Sequence, residues 1–391
     1  MIILSGKHNS ATVYTGLIEP TAVSQVIDML NQEAFKDSKI RIMPDVHAGK
    51  GCTIGTTMTI EDKVVPNLVG VDIGCGMYTM EMGTDPIDLK KLDEIIKRDI
   101  PSGFHIREKI AIDFSDNLNR LRCADKVNID RALHSIGTLG GGNHFIEVAV
   151  SDGGMHYLII HSGSRNLGKQ IAKHYQELAV KNCMLDKEKI IGELKAHGRY
   201  SEINATLRDL GKKVPPKDLS YLEGQDLVDY IKDMHIAQTY AELNRAVMAN
   251  VICQGLGIPR GDSFTTRHNY IDIRAMILRK GAVSAQAGET LLIPMNMRDG
   301  SLLCVGKGNA DWNYSAPHGA GRTMSRGQAK TELSLLDFEK QMEGIYTTSV
   351  GLSTLDEAPD AYKPMQSIVD QIQDTVDIID ILRPIYNYKS H

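Results

Sequence analysis

Nine polar residues stand inside glycine-rich, otherwise apolar strings, where a solvated surface role is least natural. They are Asp45 and His47 in MPDVHAGKG, Asp72 and Cys75 in GVDIGCGM, Asn143 and His144 in GGGNHF, His161 in IIHSGSR, His268 in TTRHNY and His318 in APHGAGR. A carboxylate, a thiol and several imidazoles converging from separate loops have the composition of a metal site, and loops anchored by buried strands hold ligands rigidly. One thiolate among imidazoles and a carboxylate suits borderline cations such as Zn2+, Co2+ or Mn2+ better than Mg2+ or Ca2+, and ligand type alone favours zinc. A single thiolate could also bridge two ions, and an ion pair would point to phosphoryl chemistry. Any one of these residues alone is more often a hydrogen-bonded core group; their recurrence in glycine motifs favours a site. For Asp45 and His47, local bonds within a tight turn account for the residue types equally well. Cys52, Cys123, Cys183, Cys253 and Cys304 read as packing thiols, and His174 as part of a solvated helix face.

Several function classes are excluded. AGKG at 48–51 has glycine after Lys50 where a P-loop needs Ser or Thr, and GTLGGGNH does not match GxGxxG. GxSxG and HExxH are missing too, so any nucleotide is bound in a less common way. The 391 residues carry 44 Lys and Arg against 49 Asp and Glu, a net charge of −5, which argues against a protein that coats nucleic acid by bulk charge. No apolar run approaches the ~18 residues of a membrane span, and MIILSGKHNS has too short an apolar stretch for a signal peptide. Together with six cysteines lacking CxxC spacing, this predicts a soluble cytoplasmic protein with reduced thiols and no membrane association.

The elements that must position these residues can be read from periodicity. A strand leads into a helix in which Val23, Val26, Ile27 and Leu30 share a face behind a Thr21 N-cap. Short β-branched runs broken by glycines, TIGTTMTI and NLVGVDIGCGMYTMEM, predict strands with tight turns between Lys39 and Met82. Asp88 to Arg98 and Asn128 to Ile136 read as helices, and HYLIIHSGS at 156–164 as a buried strand. Residues 166–256 form the longest helical stretch, interrupted by KKVPPK at 212–217. TLLIPM and SLLCVG are strands, and a closing helix is expected around 366–382. Irregular mixing of strands and helices predicts an α+β fold, a single large domain of mixed β-sheets flanked by helices, spanning 1–391 with a helical insertion at about 181–235.

MPDVHAGKGCTIG, GVDIGCGM, GTLGGGNHFIEV, IIHSGSRNLG, RHNY, RKGAVSA, HGAGRTMSR and DEAPDAYK together resemble the RtcB family of RNA ligases, from about Met43 to the C-terminus. The resemblance implies an RtcB-like complex fold and an enzyme that seals RNA 2′,3′-cyclic phosphate or 3′-phosphate ends to 5′-hydroxyl ends, in tRNA splicing or RNA repair. It implies GTP and two Mn2+ ions as cofactors, and it leaves room for an activating protein partner. By position, Asp72, Cys75, His144, His161 and His268 match the metal ligands, with Cys75 as the bridge, and His318 matches the histidine that becomes guanylylated. Asn143 and Arg165 match phosphate contacts; Glu147, Tyr362 and Lys389 match the guanine pocket, joined by Ser301. In place of the family's small residues before the nucleophile, this chain reads PMNMRDGS, with Asn296 and Arg298 expected to reshape the nucleotide loop. Two rival readings are a metal-dependent phosphodiesterase that only opens cyclic phosphates, and a non-catalytic RNA-end binding protein. The segment from Asp356 to Asp380 holds seven acids and one base, with Asp370, Asp374 and Asp377 spaced for one solvated helix face. Arg165, Lys169, Arg267, Arg279, Lys280, Arg322 and Arg326 would then leave the site locally positive.

Overall fold

The computed structural model describes every residue except Lys50, Leu185, Asp186, Lys212, Lys213 and His391, so the P-loop test at Lys50 and the first two residues of KKVPPK lie outside the described residues. In chain order the N-terminal part comprises β1 (Ile2–Ser5), β2 (Ser10–Val13), α1 (Pro20–Leu30), β3 (Ile40–His47), β4 (Ile54–Thr59), β5 (Lys63–Val64), β6 (Gly76–Gly83), α2 (Leu89–Asp99), α3 (Ser115–Leu118) and α4 (Ile129–Ser135). Next come β7 (Phe145–Val150), β8 (His156–Ser162), α5 (Arg165–Cys183), α6 (Lys187–Ala196), α7 (Ile203–Gly211), β9 (Leu222–Glu223) and α8 (Gly224–Leu256). The remainder is β10 (Ser263–Arg267), β11 (Asn269–Asp272), β12 (Ile277–Lys280), β13 (Ala282–Ser284), β14 (Thr290–Asn296), β15 (Gly300–Gly306), β16 (Ser315–Pro317), α9 (Arg326–Glu332), α10 (Leu335–Gln341), β17 (Tyr346–Thr347), α11 (Met365–Val369) and β18 (Val376–Lys389).

Two large mixed sheets carry the fold, in the order β1-β2-β3-β4-β12-β11 and β10-β6-β8-β7-β18-β15-β14, with β17 added parallel to β18. The α+β expectation therefore holds. β8 lies inside the second sheet between β6 and β7 and is buried from Leu158 onward; α8 lies against it and against β6, α2 and α5. α8 ends where the sequence predicts, with Gly257 in the left-handed conformation at φ 76° that a side chain would resist. Among the described residues no helix is long and apolar enough to cross a membrane.

Four sequence expectations need correction. α1 begins at Pro20 behind Glu19, two residues earlier than a Thr21 cap would place it, because proline is preorganised for the first helical residue. Residues 66–75 form a 3-10 turn and loop, and only Gly76–Gly83 is a strand. α8 runs unbroken through residue 235, with Leu227, Tyr230 and Met234 in the main core, so the stretch outside that core is narrower than 181–235 and centres on α6 and α7. The closing helix is only Met365–Val369; Val376–Lys389 is a strand between β15 and β7. The β-branched run VDIIDIL favours extended backbone, and Pro384 falls where the β18–β7 register shifts, the position a strand proline tolerates. Asp370, Asp374 and Asp377 consequently share no helix face.

Candidate functional site

Four neighbouring strands gather the ligand set. Asp72 and Cys75 sit in the loop entering β6, His144 immediately precedes β7, His161 lies on β8, and His268 follows β10. Pairing places Met77 and Phe145 opposite His161, and Arg267 opposite Gly76, so residues far apart in sequence arrive at one edge. Cys75 Sγ is 3.2 Å from His161 Nε2 and 3.5 Å from His144 Nε2, and His144 Nε2 is 3.0 Å from Asp72 Oδ2. One ligand atom from each of Cys75, His144 and His161 lies within 4.8 Å of the others. The His268 ring is 5.1 Å from His161, which adds the fifth predicted ligand to the group.

The imidazoles are oriented for coordination. His144 Nδ1 donates to the Leu139 carbonyl at 2.8 Å and His161 Nδ1 to the Asn143 carbonyl at 3.1 Å. A carbonyl only accepts, so each Nδ1 carries a proton and each Nε2 faces the cluster, that of His161 toward Cys75 Sγ and that of His144 toward the Asp72 carboxylate. Burial and the surrounding imidazoles push His161 well below its usual value, and burial with the neighbouring His318 does the same to His268. Both therefore stand neutral at physiological pH, the form that ligates. Burial opposes ionisation of Asp72, but its bonds with His144 and Cys75 and the charges of His144 and Arg165 bring it to about 2. Burial and Asp72 push the Cys75 thiol well up.

Support from behind comes from α8. Asn244 Oδ1 accepts from the Gly137 and Thr138 amides at 2.8 and 3.0 Å, while its Nδ2 donates to Ser162 Oγ and the Gly163 carbonyl. Arg245, fully buried, donates from Nη1 to the Gly74 carbonyl at 2.9 Å and the Ser162 carbonyl at 2.7 Å, which ties the loop bearing Cys75 to the end of β8 beside His161. The sequence reading saw only apolar spacing in this helix. A polar Asn-Arg pair on its buried face was the available signal.

His318 links this cluster to a cavity. Its ring lies 5.1 Å from His268, and its Nδ1 is 2.6 Å from Asp45 Oδ2, which also accepts from the His318 amide at 3.1 Å. Asp45 is completely buried, and its carboxylate holds the imidazole by Nδ1, which leaves Nε2 on the opposite side of the ring. Asp45 and His47 lie at the end of β3 rather than in the tight turn expected of them, and Asp45 bonds well beyond its own segment. His47 keeps the local role, with Nδ1 donating to the Asp45 carbonyl.

The cavity has a volume of about 220 Å3 and is lined by His318, Asn143, Glu147, Ser301, Tyr362 and Lys389 among others. Three buried polar atoms facing this region have no protein partner, Glu147 Oε1, Ser301 Oγ and Asn387 Oδ1. Buried polar groups are nearly always satisfied, so these atoms call for a polar ligand or water. Burial raises Glu147 to about 7, against the Asn387 hydrogen bond and the Lys389 charge. Lys389, far from fraying, is held in β18 and its Nζ bonds Glu357 Oε2 at 2.5 Å, where Tyr362 also donates at 2.8 Å. Burial opposes ionisation of Glu357, yet Lys389 and Arg326 hold it below its usual value.

Some predicted contributors are placed elsewhere. Arg165 is not on the cavity wall; from a left-handed backbone at φ 56° its guanidinium donates to Thr138 Oγ1 and the Gly103 carbonyl, on the Asp72 side of the cluster. A Cβ on Gly140 would lie 1.5 Å from Arg165 Nη1, so that glycine is what lets the guanidinium pass. Arg298 pairs with Asp299 at 2.7 Å and does not line the cavity, whereas Asn296 does. Arg279 is buried against Tyr270 and Ser315, and Lys280 donates to Cys52 Sγ at 2.9 Å. That thiol is therefore more than packing; all six cysteines are free. Sequence reasoning missed Glu357 and Asn387, counting the former as surface acid although it stands within DEAPDAYK.

Comparison with known proteins now bears on this arrangement. The family model described as tRNA-splicing ligase RtcB matches residues 27–124 and 115–390. The RNA-splicing ligase RtcB of Escherichia coli K12 is 31% identical over 409 residues, covering 94% of each chain. The RNA-splicing ligase RtcB2 of E. coli ATCC 25922 is 26% identical over 95% of this chain and 93% of its own. The tRNA-splicing ligase RtcB of Archaeoglobus fulgidus is 25% identical over 91% of this chain and 88% of its own.

Proposed function

The chain belongs to the RtcB family of RNA ligases, and on that premise we propose that it joins RNA 3′-phosphate or 2′,3′-cyclic phosphate ends to 5′-hydroxyl ends through a guanylylated His318. The observation that carries the reading is the Asp45–His318 pair at the edge of a cavity with unsatisfied polar walls. His318 Nε2 attacks the α-phosphorus of GTP; an N–P bond forms, the bridging P–O bond breaks and pyrophosphate leaves. Asp45 keeps the proton on Nδ1 and balances the positive charge that the imidazole gains. Glu147, Ser301 and Asn387 offer acceptors and a hydroxyl to the donors of a guanine edge, which accounts for their lack of protein partners. Arg322 and Arg326, both on the cavity wall, face the phosphates.

Asp72, Cys75, His144, His161 and His268 fit a pair of Mn2+ ions, which when bound would supply positive charge for the phosphoryl oxygens. A cyclic end is first opened by water to the 3′-phosphate. The 3′-phosphate oxygen then takes GMP from His318, restoring the free imidazole, and the 5′-hydroxyl attacks the activated phosphorus with GMP as leaving group. Arg165, on the Asp72 side of the cluster, is placed for the RNA phosphate rather than for GTP. Incubation with α-labelled GTP and Mn2+ should yield an acid-labile, alkali-stable protein adduct, which His318→Ala abolishes while keeping its metal. A metal-loaded wild-type protein that never labels would refute the proposal.

A further inference from the structure

Phe104 is 95% exposed, the most exposed large apolar side chain among the described residues. Its turn is not loose. The Gly103 amide donates to the Gly140 carbonyl at 2.8 Å, the Leu139 amide to Pro101 at 2.9 Å and the Arg107 amide to His134 at 2.9 Å. Two guanidinium groups complete the anchoring, since Arg165 Nη2 donates to the Gly103 carbonyl at 3.0 Å and Arg131 Nη2 to the Phe104 carbonyl at 3.2 Å. The backbone on both sides of the ring is fixed, and Phe104 and its neighbour His105 are exposed to solvent.

The turn adjoins the reactive centre. A Cβ on Gly141 would lie 3.7 Å from Gly103 Cα, and one on Gly142 would lie 3.9 Å from Arg326 Nη1. The loop that ends in Asn143 and His144 thus has the Phe104 turn on one flank and a cavity arginine on the other. Val71, beside Asp72, is 57% exposed. A rigid, solvated aromatic beside cationic side chains is the combination that binds unpaired nucleic acid, because every base has a face to stack and stacking ignores sequence. Aromatics are only 5% of the chain, so the grip is one base rather than a groove.

We propose that Phe104 is the stacking platform for an unpaired base of the RNA end being joined, with Arg131 beside it for a backbone phosphate. This deepens the ligase reading, since it takes the RNA end to lie over the Gly140–His144 loop. The test compares wild type, Phe104→Ala and Phe104→Trp with a short single-stranded RNA ending in a 3′-phosphate. Loss of one base stack should raise the RNA KM of Phe104→Ala about tenfold, with kcat and GTP labelling of His318 unchanged. Phe104→Trp should restore KM, and RNA should quench the emission of the introduced indole; the native Trp312 is 2% exposed and gives a constant background. A Phe104→Ala KM within twofold of wild type, or emission from the introduced indole that is indifferent to an RNA the same sample ligates, would overturn the proposal. So would an unchanged KM with a lost response to an added protein partner, which would put protein on this ring. If wild type fails to label with GTP, the guanylylation reading falls, while the emission titration still decides the stacking.

Discussion

Replacing Asp45 with Asn tests the nucleophile assignment most directly. The carboxylate is completely buried and accepts both the Nδ1 proton of His318 at 2.6 Å and its amide at 3.1 Å. An asparagine oxygen at the same place can still accept both bonds, so geometry is largely kept and the negative charge is what is lost. Attack by Nε2 leaves a positive charge on the imidazole. At a separation of ~4 Å between charge centres and an effective dielectric near 20, the carboxylate stabilises that charge by about 4 kcal/mol. At about 1.4 kcal/mol per factor of ten, guanylylation by Asp45→Asn should be about a thousandfold slower. Single-turnover transfer from α-labelled GTP measures this, and thermal unfolding should show a melting temperature close to wild type. RNA already carrying GMP on its 3′-phosphate bypasses His318, so the variant should seal it at the wild-type rate. Labelling within tenfold of wild type, or equal slowing of both steps, would refute the argument that Asp45 acts by charge on His318.

Two further variants probe the surroundings. Glu147, ordinarily near 4.5, is raised to about 7 by burial, so the native state holds a proton that the unfolded chain releases between those values. Its contribution is full below pH ~4.5 and is lost as pH rises to about 7, on the order of 3 kcal/mol; Glu147→Gln should flatten that part of the urea-unfolding profile of ligand-free protein, and an unaltered slope would count against a buried neutral carboxyl. Arg245→Met fills similar volume but removes the bonds to the Gly74 and Ser162 carbonyls. Metal affinity should fall about 10- to 100-fold, as for lost support behind ligands, and full metal content after dialysis against a weak chelator would show that α8 does not hold the ligand loops.

What the sequence made legible was the chemistry carried by short glycine strings, because each such string is itself a structural unit in which the polar residue has little choice of direction. Asp72, Cys75, His144, His161 and His268 are brought together as read. Pairings across the chain were not legible. Asp45 and His318 are separated by 273 positions, and nothing local to MPDVH distinguishes a turn-capping carboxylate from one aimed at a distant imidazole. β18 was misread for a different reason. Three aspartates at helical spacing mimic an amphipathic helix, and only pairing with β15 and β7 decides for the strand, as tertiary context does for most strands. Lys389 was matched to the pocket by resemblance alone; the strand is what delivers it to a buried glutamate. Arg165, expected to contact phosphate, has a left-handed backbone that sequence does not reveal, and this sends its guanidinium to the Asp72 side, off the cavity wall.

The acids near the C-terminus also explain how a chain of net charge −5 can grip phosphates. Asp356 and Glu357 are 5% and 2% exposed, so they are no solvated face. Asp356 pairs with Arg326 and Lys330, and Glu357 with Arg322, Arg326 and Lys389. Four cations converging without counter-charges would repel one another, and Arg322 and Lys389, the two that are largely buried, would also bear the cost of lost hydration. Two carboxylates beneath them fix the guanidinium and ammonium groups in place and leave the cluster two charges positive. Under the proposed reading, a local excess of this kind is what would draw a polyphosphate into the pocket despite the negative charge of the whole chain.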